Sequence, residues 1–379
     1  MPTLTELDRK RRQVAHMGDP GVFDRTSDIE EAMAAGARFM TDLSRAMVVL
    51  SCAVGDQLGL FAALADGEGH SADDIAKRAD ADARYVREWA RTLAAAGYLE
   101  LDRSGEEFRL PPAYTALLAD PGSPFYVGGI ARLVPPLAAM VERVAGCFRS
   151  GEGLTPGDYP SAMYQATWRM SAKWLEAMLL DQWLPLVPGL EEKLTAGAEV
   201  AHLACGSGTA LALLARRFPA SRCTGVDRHE LNVERARGEI AEYGVADRVT
   251  LTRVTGFADG LSGPYELVMA FDSLHLAADP GDVLRDVARA LTETGVFLLL
   301  ETDCSTDPHE NVGDVAAFLY GTSTLYSVPL SRTGPVVAGM LGLPQPVLTR
   351  LCADAGLTAP RRIAAPTPFN VLYEIRKAS

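Results

Sequence analysis

The chain has six cysteines in 379 residues (Cys52, Cys147, Cys205, Cys223, Cys304 and Cys352), and no two stand at the spacing of a metal site. They read as small buried apolar residues. No apolar run reaches the ~18 residues a membrane span needs. The opening MPTLTELDRKRRQ is charged and lacks a following apolar stretch, so it does not read as a secretory signal. Positive charge is scarce too: 36 Lys and Arg stand against 49 Asp and Glu, a net charge of −13. That balance argues against non-specific nucleic-acid binding, which needs a cationic surface. A soluble, reduced, cytoplasmic protein with no membrane or nucleic-acid partner is expected.

What the sequence does hold is apolar mass: 48% of it is hydrophobic, ample for buried cores. Its length favours two domains. Residues 1–28 mix charge with Gly18, Pro20 and Gly21 and read as a flexible N-terminus. Ser27, with Glu30 three residues on, resembles a helix cap. A long helical region follows to about Ala65, broken near Gly55. Its apolar residues, Phe39, Met40 and Met47 among them, lie on all sides. This is either an ordinary core helix or a surface buried against a second copy, and the excess of apolar surface favours a homodimer.

Residues 71–110 read as two helices and a two-stranded wing. Ser71 and Asp82 start the helices, Tyr85, Trp89 and Leu93 are spaced on one face, and Gly97 ends the second. Tyr98–Leu101 and Glu107–Leu110 alternate like strands around Ser104-Gly105. A winged helix is a shape often used on DNA. This one holds seven basic and nine acidic residues, so it offers no excess charge for phosphates. Residues 112–195 read as mostly helical. The stretch from Tyr159 through Met163 and Tyr164 to Trp174 is either a hinge helix or a lid.

The chain is organised around EVAHLACGSGTALALLARRFPASRCTGVD, residues 199–227. It reads as strand, glycine turn, helix, strand and acid, the first half of a nucleotide-binding doubly wound sheet. The dinucleotide fingerprint needs a third glycine where Leu211 stands, so a pyrophosphate is not indicated. Further strands at 249–254, 266–271 and 296–300 alternate with helices, which implies a parallel sheet. Its ligand end is then built from the loops 204–208, 227–229, 255–259, 272–276 and 301–304. Residues 302–343 interrupt the alternation just above that end and read as a substrate cover. Two strands, 362–365 and 369–375, close the chain.

The glycine turn resembles motif I of the class I S-adenosylmethionine (SAM) methyltransferases, acid-x-Gly-x-Gly-x-Gly, here His202-Leu203-Ala204-Cys205-Gly206-Ser207-Gly208. The winged-helix front end resembles small-molecule O-methyltransferases that dimerise through that module, and RYVREW, FRLPP, DSLH and the YG…S…P stretch make the whole similar to a bacterial group of winged-helix SAM methyltransferases that includes regulators. The resemblance implies an α/β fold: a Rossmann-like seven-stranded methyltransferase sheet over about 196–379 and a mainly helical winged-helix, dimerisation and lid domain over 29–195. It implies SAM as cofactor. Ala204, Gly206 and Gly208 would line its methionine end and Asp227, followed by Arg228, would bind the ribose hydroxyls. Gly256, Phe257 and Ala258 would flank the adenine, with Asp259 reaching the amine. Phe271 and Asp272 would close the site, and Tyr159 and Met163 would cover it.

Two motif positions depart from the family, His202 for the acid and Ala204 for the first glycine. A neutral histidine accepts a hydrogen bond but gives no charge attraction, a loss of about 1.5–3 kcal/mol. Ala204 is tolerable where its φ stays negative. For chemistry, His275 is the candidate general base, since an imidazole titrating near ~6.5 suits neutral pH, and Glu301 is placed to orient it. Met163, Trp168, Tyr320 and Tyr326 are expected to wall an apolar or aromatic small-molecule substrate, of the kind met in natural-product tailoring. Two other readings stay open: a non-methylating cyclase or pericyclase that uses SAM as a fixed charge, and a SAM-binding regulator.

Overall fold

The computed structural model describes residues 26–123, 126–332, 334, 337–367 and 369–378. The expected flexible N-terminus lies mostly outside them. Among the described residues helix α1 spans Thr26–Leu58 without a break, and the expected Ser27 cap lies at the edge of what is described. Gly55 does not break the helix. A Cβ there would meet the Trp89 and Phe61 rings at 2.8 Å, so the glycine lets another helix approach. The Trp89 indole seals this contact by donating to the Ser51 carbonyl at 2.9 Å.

The winged helix forms as read. Strand β1 (His70–Ser71) leads into α2 (Ala72–Arg78), capped by the Ser71 hydroxyl, and α3 (Ala83–Ala95), capped by the Asp82 carboxylate. Strands β2 (Glu100–Leu101) and β3 (Glu107–Arg109) complete a sheet of order β1-β3-β2. The buried stripe of α3 is Val86, Trp89, Ala90 and Leu93. Tyr85, expected on that face, is 80% exposed. Arginines on this module are paired: Arg84 with Glu88, Arg87 with Asp73, and Arg109 with Glu100.

Short helical turns connect to α4 (Val141–Ser150) and the long α5 (Ser161–Met178). A π-turn, Leu179–Trp183, extends α5. Its first part packs in a helical core with Leu133, Leu137 and Met140. Leu175, Leu179 and Trp183 pack on the sheet.

The sheet takes strands β4 (Glu199–Leu203), β5 (Arg222–Asp227), β6 (Val249–Arg253), β7 (Tyr265–Phe271), β8 (Leu291–Thr302), β9 (Arg361–Thr367) and β10 (Asn370–Ile375). Their order is β6-β5-β4-β7-β8-β10-β9, with β10 antiparallel to both its neighbours and every other pair parallel. Helices α6 (Thr209–Arg217), α7 (Glu230–Glu242), α8 (Pro280–Ala290) and α10 (Gln345–Asp354) cross between strands. The insertion folds as α9 (Asp314–Thr322) and a second π-turn, Ser323–Ser327. The sheet is apolar on both faces, as the near-continuous burial of β4, β7 and β10 requires of a sheet covered on two sides.

Candidate active site

At the carboxyl ends of β4, β5 and β7 lies a cavity of about 230 Å³, bounded by α5, the glycine turn and the second π-turn. This is where an open parallel sheet holds its ligands. Of the residues expected to hold the cofactor, Ala204, Gly206, Asp227, Arg228, Phe257, Phe271 and Asp272 stand on its wall. Of the expected substrate wall, Trp168 and Tyr326 line it, whereas Met163 and Tyr320 do not.

The glycine turn is tightly specified. Gly206 has φ +56 and a Cβ there would meet nothing within 4 Å, so its backbone is open to a ligand. Gly208 (φ +79) answers to packing instead: a Cβ would come within 2.8 Å of Ala236 on α7. It is off the wall, which corrects its expected ligand role. Ala204 has φ +49, against the expectation of a negative angle. An L-residue there is strained by about 1–2 kcal/mol, so the family's glycine is replaced at the very angle that favours it.

Asp227 is buried at the tip of β5. It accepts from the Gly206 N–H (3.0 Å), the His229 N–H (2.8 Å) and the Asn232 amide (3.1 Å). A carboxylate has about four acceptor sites, so capacity for roughly one further donor remains rather than the expected two. Burial pushes this carboxyl up and the three donors pull it back, with the net shift upward. Asn232 also accepts from the Trp168 indole at 2.8 Å, and Tyr164 stacks on His229 with centroids 4.2 Å apart. Helix α5 is thus tied to the acid's own partners. Arg228 stands over the Phe257 ring at 5.9 Å, leaving these two groups as the flat walls beyond Asp227.

Several expectations fail here. Gly256 and Asp259 close their own loop, the Gly256 N–H donating to Asp259 at 2.6 Å, and neither reaches the cavity. Ala258 is buried in the core behind it. Tyr159 donates to the Leu325 carbonyl at 2.9 Å and packs edge-on against Tyr326, while Met163 lies in the same helical core. Both pack in the helical core behind the cavity and neither lines it.

His275 sits on a single turn after β7 and is 2% exposed. Its Nδ1 meets Glu301 at 2.8 Å, and its backbone N–H donates to the other carboxylate oxygen at 3.2 Å. Glu301 therefore orients His275, as expected. Its neighbours Ser273 and Leu276 line the cavity, but His275 itself stands behind that wall. Burial opposes its charged form, yet the Glu301 and Asp272 carboxylates outweigh that and its pKa is raised. Asp272, with φ +46, does face the cavity and accepts from the Asn370 amide.

His202 lines the cavity, is 4% exposed and has no hydrogen-bond partner for either ring nitrogen. Burial alone holds its pKa down to about 3, so it is neutral at physiological pH. Its ring meets Phe271 edge-on at 5.1 Å, and Phe271 meets Trp183 at 5.5 Å. Sequence reasoning missed Asn232 and Trp183. Asn232 carried one signal, a side-chain amide one turn beyond the strand-tip acid; Trp183 carried none, because its π-turn has no pattern in the sequence.

Residues 201–297 match the methyltransferase domain family, and residues 46–120 match the Rv2258c-like winged HTH domain. The central part of the sheet domain is thus similar to a methyltransferase domain. The chain's fold is similar to that of mitomycin 7-O-methyltransferase MmcR: 19% identity, 92% of this chain and 100% of that one, TM-score 0.66. An O-methyltransferase family protein from Burkholderia thailandensis gives the same identity and TM-score, over 92% and 98%. An O-methyltransferase from neocarzinostatin biosynthesis, in complex with SAM and 2-hydroxy-5-methyl naphthoic acid, is 19% identical over 90% and 98%, TM-score 0.59. At such identities the likeness is one of fold. Polyketide synthase ThaQ of B. thailandensis is 30% identical over 104 residues, 27% of this chain but 5% of the synthase. SAM is the cofactor of the domain class, and the open Gly206 backbone, the strand-tip acid and the unpartnered His202 nitrogens fit it.

Proposed function

We propose that the protein is an O-methyltransferase acting on a hydroxylated aromatic small molecule, in natural-product tailoring. The aromatic wall of the cavity carries this reading: Trp168, Trp174, Trp183, Phe257, Phe271 and Tyr326 enclose a site whose only basic side chain of the Lys or Arg type is Arg228. Such a wall suits a flat, apolar acceptor rather than a phosphorylated one. The neocarzinostatin relative, held with a naphthoic acid, and the partial match to a polyketide synthase point the same way.

Bound SAM supplies a methyl group on a positively charged sulfur. Gly206, Asp227, Phe257 and Arg228 hold its adenosine end; His202, Phe271 and Asp272 face its methionine end. The acceptor hydroxyl gives up its proton as the new C–O bond forms and the C–S bond breaks. In this reading His275, oriented by Glu301 just behind the wall formed by Ser273 and Leu276, takes that proton once the bound acceptor draws the imidazole through that wall, with S-adenosylhomocysteine as the second product. Orientation and proton removal are the two contributions such a site makes.

The division of labour follows the expected boundaries, 29–195 for lid and dimerisation, 196–379 for catalysis. The exposed stripe on α1 is read as the contact with a second copy. Six unpaired cysteines fit a reducing, cytoplasmic compartment.

The test is a screen of phenolic and naphtholic acceptors with SAM, scoring S-adenosylhomocysteine and the methyl ether together. His275→Ala and Glu301→Gln are expected to lower turnover at least a hundredfold while the SAM Kd stays within threefold. Product without S-adenosylhomocysteine would replace methyl transfer by cyclisation or rearrangement. Unchanged turnover in both variants would remove the pair from the chemistry.

A further inference from the structure

The cofactor's methionine end carries an ammonium, and the residue at motif I that would face it is an uncharged histidine. His202 cannot take on charge to help, since it is buried among Phe271, Trp183 and Leu300 with no partner to stabilise an imidazolium. Burying a cation without a counter-charge is costly, so a carboxylate from elsewhere has to meet it.

The cavity wall holds two carboxylates, Asp227 and Asp272. Asp227 is committed to three N–H donors, from the glycine turn, its own strand-tip turn and α7. Glu301, behind the wall, is committed to His275 through both oxygens. Asp272 accepts one side-chain bond, from Asn370 on β10, and keeps the rest of its acceptor capacity. It stands at the tip of β7, the strand paired directly with β4, with Met269 level with His202. Its left-handed backbone, φ +46, turns the chain just as it leaves the sheet. The same cavity thus has an unpartnered buried imidazole on one strand and an under-used carboxylate on the tip of the next.

Building on the SAM site proposed above, we infer that Asp272 supplies the negative charge that position 202 lacks and pairs with the cofactor's ammonium. The charge has moved from the first strand of the motif to its neighbour in the sheet. His202 keeps hydrogen-bonding capacity without charge.

The surroundings give this pairing a pH dependence. Burial, and then the Glu301 carboxylate on β8, push the Asp272 carboxyl up to about 7; His275, on the turn after β7, and the Asn370 amide on β10 pull it down only in part. At pH 6.5 the empty site holds a largely protonated Asp272, while the ligand ammonium, titrating near ~8, is already charged. Binding then expels a proton from the protein.

The experiment is calorimetric binding of SAM and of S-adenosylhomocysteine, both of which carry the ammonium. Asp272→Asn is expected to weaken both at least tenfold at pH 7.5. Adding His202→Asp to Asp272→Asn is expected to recover most of that loss, which a merely structural role for Asp272 would not allow. In the unaltered protein, titrations at pH 6.5 in two buffers of different ionisation enthalpy should report net proton release. Asp272→Asn binding both ligands within twofold of the parent would overturn the inference. So would weakening confined to SAM, which would place the charge at the sulfur, or binding without proton release. Failure of the unaltered protein to bind SAM would instead sink the cofactor site itself.

Discussion

Two residues of motif I show opposite consequences of departing from a pattern. Ala204 keeps the left-handed backbone its position demands, φ +49, and bears the strain of a side chain there. Ala204→Gly relieves about 1–2 kcal/mol of that strain and gives back about 0.4–1 kcal/mol in unfolded-chain entropy. The variant should therefore be more stable by about 0.5–1 kcal/mol, read from the urea midpoint at constant slope. His202 departs in charge. Its folded pKa, about 3, lies below the ~6.5 of an unfolded histidine. Between those values the unfolded chain binds a proton that the native protein does not, so stability falls as pH drops from 6.5 towards 3. His202→Leu removes that contribution. Between pH 7 and 4.5 it should lose measurably less stability than the parent in urea unfolding. Equal losses would mean that the ring has a partner in solution.

At the scale of elements, close approach decides what the sequence could not announce. Gly55 looks like a helix breaker, yet it lies inside α1 because the Trp89 ring occupies the space a Cβ would need. Gly55→Ala overpacks that contact and should destabilise the protein by about 1–3 kcal/mol, visible as a lower melting temperature. The strands, by contrast, were legible: β4, β5, β7 and β8 are short apolar runs between turn residues, the mark of strands covered on both faces. Helix caps at Ser71 and Asp82 were legible because their chemistry is local. The walls of the cavity were most legible where they follow a strand tip, as at Asp227, Phe271 and Asp272, with Trp168 and Tyr326 read from their aromatic segments. Side chains on α5 were less so, since a helix read from its spacing has no known rotation against the sheet. Tyr159 and Met163 were taken for the wall together with Trp168, but Tyr164, Trp168 and Trp174 form it. The Trp168–Asn232–Asp227 chain ties α5 to the strand-tip acid of the proposed cofactor site. Trp168→Phe keeps the ring and loses one hydrogen bond, about 0.5–1.5 kcal/mol, so the SAM Kd should rise between two- and about tenfold. No change would detach the lid from the ribose acid.

For the whole molecule, the buried apolar residues gather on the two faces of the sheet, in the winged helix and in a helical core around α4 and α5, and the exposed apolar residues include a run along α1. Phe39 (69% exposed), Met40, Leu43, Met47, Val54 and Leu58 are exposed along that one helix. Met40, Met47 and Val54 recur every seven residues, with Leu43 between, a seam suited to another helix. The other side of α1 is already used, with Val48 and Cys52 in the winged-helix core. An exposed apolar seam of this length is out of place on a monomer. Light scattering behind size exclusion should therefore give about twice the 40.6 kDa chain mass. Met40→Glu with Met47→Glu puts carboxylates on the seam without touching the buried side. The double variant should run as a monomer with unchanged circular dichroism. A dimer that survives it would move the contact away from α1, and a monomeric parent would leave the seam for a different partner.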